Sequence, residues 1–132
     1  MKRALFLVFG MMLLATLACE ISFSTASASI DNERLATDQD GNNRTTTFAP
    51  TDTIYVVFDL KDAPNDTTVQ TVWYALDDSG ETELYRSETL ETSTARIYFN
   101  LSNATLPEGR YKVDILLNGE RERSLEFTVV AP

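Results

Sequence analysis

The chain has 132 residues, with twenty acidic and eleven basic side chains, one cysteine, no histidine and a formal net charge of −9 at pH 7. That length holds one domain, and so acidic a surface argues against nucleic acid, whose binding depends on neutralising phosphates with lysine and arginine. One cysteine excludes an internal disulfide, and the missing histidine removes the commonest general base and metal ligand.

Lys2 and Arg3 open the chain and an apolar run of fifteen residues, 4–18, follows, ended by Glu20. A positive start and a run of this length describe an export signal and fall short of the ~20 residues a membrane-spanning helix needs. The run ends Ala15-Thr-Leu-Ala-Cys19, which resembles the lipobox of bacterial lipoproteins. That resemblance implies a diacylglyceryl group on the Cys19 thiol and cleavage just before it. Ala18 fits the pattern well, whereas Thr16 and Leu17 fit only a permissive version. The rival is ordinary signal-peptidase cleavage after Ala28, at the end of Ala26-Ser-Ala28; it lies far beyond the apolar run and leaves Cys19 without a purpose. The first reading is preferred. It divides the chain into a helical signal peptide (1–18), a lipidated cysteine with a flexible Ser/Thr/Ala-rich linker (19–29) and a folded domain (30–132). Loss of Lys2 and Arg3 would take the mature net charge to −11.

From residue 30 onward the apolar pattern has period two and no helical stripe. A first strand falls within 30–37, with a resumption at 45–48. Residues 53–60 direct Ile54, Val56, Phe58 and Leu60 to one face; 69–77 carry Trp73 and turn through Asp77-Asp-Ser-Gly80 into a short strand near 83–87. Residues 95–101 put Ala95, Ile97, Phe99 and Leu101 inward. In 110–117, Tyr111, Val113, Ile115 and Leu117 share the inner face, with Arg110, Lys112 and Asp114 on the other. Asn118-Gly119 is a type I′ turn signal, and the returning strand turns Leu125, Phe127 and Val129 inward. Seven short strands with polar turns and no helix predict an all-β, two-sheet sandwich.

Leu106-Pro-Glu-Gly-Arg-Tyr111 resembles the tyrosine corner of Greek-key sandwiches, and Trp73 matches the buried tryptophan of immunoglobulin-like domains. With Phe48-Ala-Pro-Thr-Asp-Thr-Ile-Tyr55, Trp73-Tyr74 and Phe127-Thr-Val129, residues 30–130 resemble uncharacterised immunoglobulin-like domains of bacterial surface lipoproteins. The resemblance implies a seven-stranded immunoglobulin-like Greek-key sandwich without the sheet-bridging cysteines, Val113 standing where the second would be. It brings no shared chemistry.

Asp38-Gln-Asp-Gly-Asn-Asn43 has calcium-loop composition, but Asn43 and Ala49 occupy the positions where an EF-hand needs glycine and glutamate, so a polar turn is the preferred reading and no metal or cofactor is expected. Serines lack a base to activate them, and carboxylate pairs arise by chance among twenty acids, so no catalysis is expected. If Ile54, Phe58, Ile97 and Phe99 face inward, Tyr55, Val57 and Tyr98 share an outer face that would suit a sugar ring or a partner protein; the plainer alternative is that tyrosine favours strands and makes good cross-strand pairs. The N-x-S/T matches at Asn43, Asn65, Asn100 and Asn103 are read as chance in a threonine-rich chain. The functional expectation is a non-catalytic, membrane-tethered binding or structural module of the cell envelope, with an unknown protein or glycan partner and no nucleic acid. The alternative is a small extracytoplasmic hydrolase inhibitor acting through residues 62–68 or 77–81.

Overall fold

The alternating segments all become strands. A computed structural model describes residues 28–102 and 105–132, and every regular element among them is extended: β1 (Ser29–Ala36), β2 (Thr47–Phe48), β3 (Ile54–Lys61), β4 (Thr67–Asp77), β5 (Gly80–Arg86), β6 (Leu90–Thr92), β7 (Ala95–Leu101), β8 (Gly109–Leu117) and β9 (Glu120–Val129). The expected signal helix, Cys19, most of the linker and the Asn103 sequon lie outside the described residues.

The strands form two sheets, one ordered β1-β3-β7 and the other β2-β9-β8-β4-β5, with β6 also paired to β4. Nearly all neighbours run antiparallel; β2 is parallel to β9. Inward side chains of both sheets share one core. Ile30, Leu35, Ile54, Val56, Phe58, Leu60 and Ile97 come from the smaller sheet; Phe48, Val69, Trp73, Tyr111, Val113, Ile115, Leu117, Phe127 and Val129 come from the larger. Phe127 is the hub, with ring centroids 5.6 Å from Phe48, 6.1 Å from Trp73 and 5.5 Å from Tyr111. Trp73 is 1% exposed and donates its Nε1–H to Thr71 Oγ1 at 3.1 Å, so the indole is buried with its donor satisfied.

Nine strands replace the expected seven among the described residues. The first divides into β1 and β2 because residues 37–46 leave the smaller sheet and rejoin the larger beside β9. The three-residue β6 escapes sequence reading because so short a run carries no period. The turn signals hold: Asn118 (φ 51°) and Gly119 (φ 86°) both take positive φ between Leu117 and its partner Glu120, as a type I′ hairpin requires.

The Tyr111 hydroxyl donates to the Pro107 carbonyl four residues upstream, tying the 105–108 segment to β8. Burial pushes the Tyr111 pKa above its ordinary value of 10. Tyr111→Phe is expected to lower the unfolding free energy by about 1–2 kcal/mol in urea titrations at neutral pH, by stranding that carbonyl. The burial effect has the opposite pH sense: a raised folded-state pKa contributes stability present below pH ~10 and lost as the pH rises through the folded value, and the variant lacks that loss.

Candidate functional site

Tyr55 and Tyr98 come together as the sequence suggests. β3 and β7 are neighbours, Val57 lies opposite Tyr98 and Tyr55 opposite Asn100, and the two tyrosine rings sit 5.9 Å apart. Tyr98 is 45% exposed and Tyr55 is half-buried. Val57, however, is fully buried, which corrects its expected place on an exposed face. Its register partners are Tyr98 on one side and Arg34 of β1 on the other, so two long side chains flank it and close it off.

Arg34 is buried too, and its guanidinium is held by carbonyl oxygens alone: Gly41 at 2.9 Å, Asn32 at 2.8 Å and Asp40 at 3.1 Å. The loop with calcium-like composition is therefore folded onto Arg34, its carbonyls engaged by a side-chain cation. Asp38 faces the loop's own backbone, accepting from Asn43 N at 2.8 Å and Asn42 N at 3.1 Å, and the Asn43 bond is the chief cause that holds its carboxyl below the usual range. Gly41 has φ +74°, and a Cβ there would lie 2.5 Å from Arg34 Nε. Gly41→Ala should cost about 2 kcal/mol in thermal or urea unfolding, from left-handed strain plus displacement of the guanidinium from its acceptors.

The outer face of the larger sheet holds a second cluster that the alternation assigns to solvent. Lys112 and Asp114 are 5% and 4% exposed. Lys112 Nζ lies 2.7 Å from Glu81 Oε2, 3.4 Å from Asp114 Oδ1 and 4.9 Å from the Tyr74 ring centroid. Desolvation opposes the lysine's charge, but Glu81 and Asp114 outweigh it and raise its pKa above the ordinary value. Asp114 Oδ1 has that long Lys112 contact as its ion-pair partner, and Arg121 approaches its other oxygen at 3.9 Å. A residue's outward direction does not make it solvated here, because Tyr74, Val72, Glu126 and Ser124 stand opposite on the flanking strands.

The third feature is the open side of the sandwich, between the free edges of β5 and β7. Two adjoining hollows of about 450 and 410 Å³ share Tyr85 and Asn100; Leu84, Leu101 and Leu106 line the first, and Leu90, Tyr98 and Phe99 the second. Leu84, Tyr85, Leu90 and Tyr98 are each 43–45% exposed. A β-bulge explains the first two. Trp73 pairs with Tyr85 and Tyr74 with Glu83, leaving Leu84 as an extra residue, so Leu84 and Tyr85 both turn toward the gap between the sheets. Strict alternation cannot predict two adjacent residues on one side, so the groove is invisible to a sequence reading. The expected inhibitory segments, 62–68 and 77–81, lie at opposite ends of the eleven-residue β4 and overlap its first and last residues.

No family model matches the chain, and no curated protein matches it. Among solved structures it is similar to Pseudomonas fluorescens alkylpurine DNA glycosylase AlkC bound to DNA containing an abasic site analog, with a TM-score of 0.53 and 20% identity over 80% of this chain. The match spans 31% of the glycosylase chain and shows shared architecture. It corrects the expectation that excluded nucleic acid: the solved structure whose architecture this chain shares is that of a protein bound to DNA.

Proposed function

We propose that the chain is a non-catalytic module of the bacterial cell envelope, exported by its leader, held by a lipid on Cys19 and displaying an immunoglobulin-like domain. The observation that carries this reading is where the fold starts. β1 begins at Ser29, ten residues past the cysteine that ends the apolar run, which leaves a short polar spacer between an attachment point and an all-strand domain. The immunoglobulin-like assignment is supported by the parallel β2–β9 pair, the buried Trp73, the Tyr111–Pro107 bond at the start of β8, and Val113 filling the core where a bridging cysteine would sit. It departs from the constant-type strand order in that β2 and β5 extend the larger sheet and β6 joins it. The short β6 pairs with β4 of the larger sheet, where that order would put a fourth strand beside β7.

Mass spectrometry of the mature protein tests the reading. The expected N-terminus is a diacylglyceryl-modified Cys19, and Cys19→Ala releases the protein from the membrane fraction or leaves its leader uncut. A mature chain beginning at Ser29, or one that retains Met1 in the cytosol, overturns it.

A further inference from the structure

We propose that two copies of this domain associate through the free edge of β7, joining their smaller sheets into one continuous six-stranded sheet about a two-fold axis at Tyr98. The inference does not rest on export or lipidation.

Three observations converge on β7. It ends the β1-β3-β7 sheet, and its pairing with β3 runs from Ala95 to Leu101 without a register shift, so its far side presents a regular row of unpaired amides and carbonyls. Such an edge is a template for another strand. Among the described strands the other edges are short or disrupted: β2 and β6 have only two and three residues, β5 carries the bulge at Leu84, and β1 has a register shift between Asp31 and Arg34 and is overlain by Arg123, which donates to the Ile30 carbonyl.

Charge selects a second copy as the occupant. In a chain of net charge −9, two copies repel wherever carboxylates meet. β7 (ARIYFNL) has no Asp or Glu; among the described strands only the two-residue β2 shares that property. β7 instead carries one cation, Arg96, whose Nε already pairs with Asp59 at 3.2 Å.

The sequence of β7 is also complementary to itself. Antiparallel pairing centred on Tyr98 sets Ile97 against Phe99 and Ala95 against Leu101 on the inner face. On the outer face it sets Arg96 against Asn100 and Tyr98 against its own copy. No like charges meet, apolar residues face apolar residues, and the two tyrosines form an aromatic cross-strand pair. The same contact approaches the adjoining groove, where Leu90, Tyr98 and Phe99 stand beside Ser87, Thr89 and one acid, Glu88.

Sedimentation equilibrium of the purified protein should show a monomer–dimer equilibrium. Amide exchange across Ala95–Leu101 should slow as protein concentration rises, while the β5 amides are unaffected. Tyr98→Glu and Tyr98→Lys, each placing like charges across the axis, should each weaken association at least about tenfold. Because the Tyr98 side chain is half exposed, both variants should stay folded, losing only its contact with Tyr55 and part of the cover over Val57. An equimolar mixture of the two should associate again. A wild-type protein that stays monomeric at about 100 µM, exchange at β7 that ignores concentration, or two charge variants that dimerise like wild type would each overturn the proposal.

Discussion

Trp73→Ala should lower the unfolding free energy by about 4 kcal/mol, the range for deleting a large buried aromatic side chain with incomplete collapse of the space it leaves. The indole is 1% exposed, meets Phe127 edge-on and fills the centre of the larger sheet's inner face, so few neighbours can move into its place. The hydroxyl of Thr71 would also lose its indole partner in a buried setting. A domain of this size has about 5–15 kcal/mol of stability in total, so the variant should be partly unfolded at moderate temperature, with a melting point lower by roughly 15–30 °C. Circular dichroism melts check it. A loss below about 1 kcal/mol would mean that Trp73 is not central to the core.

The second large effect concerns Lys112. Lys112→Met is expected to cost about 3 kcal/mol, because Asp114 keeps its charge in a nearly closed position with only the distant Arg121 for compensation. Combining Lys112→Met with Asp114→Leu in one chain should restore most of that loss, since an apolar pair incurs no desolvation cost for ions. Chemical denaturation of the two singles and the double closes a cycle with a coupling of about 1–3 kcal/mol. The sign of the pH dependence follows from the raised lysine pKa. The stabilisation is complete below the ordinary lysine value of 10.5 and is lost as pH rises through the folded value, and the doubly changed chain should lack that contribution. A Lys112→Met protein as stable as wild type would show that the ion cluster contributes nothing net.

How much of the molecule is legible beforehand depends on whether a local rule governs the residue. β7 has the bounds expected, 95–101, because its alternation is clean and polar residues flank it. The β8–β9 hairpin is legible because Asn-Gly tolerates two positive φ angles. Tyr111 can be placed because the corner motif is local, its acceptor only four residues away. The failures share another cause. Parity alone puts Val57 outside, but Arg34, far earlier in the chain, lies beside it in the register. Charge alone puts Lys112 and Asp114 in solvent, but the flanking strands supply a wall, and Glu81 of β5, one strand further on, a counter-ion that only tertiary structure reveals. The apolar groove depends on a single inserted residue, which no period-two template represents.

That inserted residue, Leu84, also decides how far self-association can go. With β5 kinked, β1 overlain by Arg123 and β2 and β6 only two and three residues long, each copy offers one long straight edge among the described strands, and pairing two such edges consumes both. Growth stops there, with no free end to recruit a third molecule. An irregularity just across the groove from β7, together with the covered β1 edge, thus separates a closed pair from an open-ended fibre.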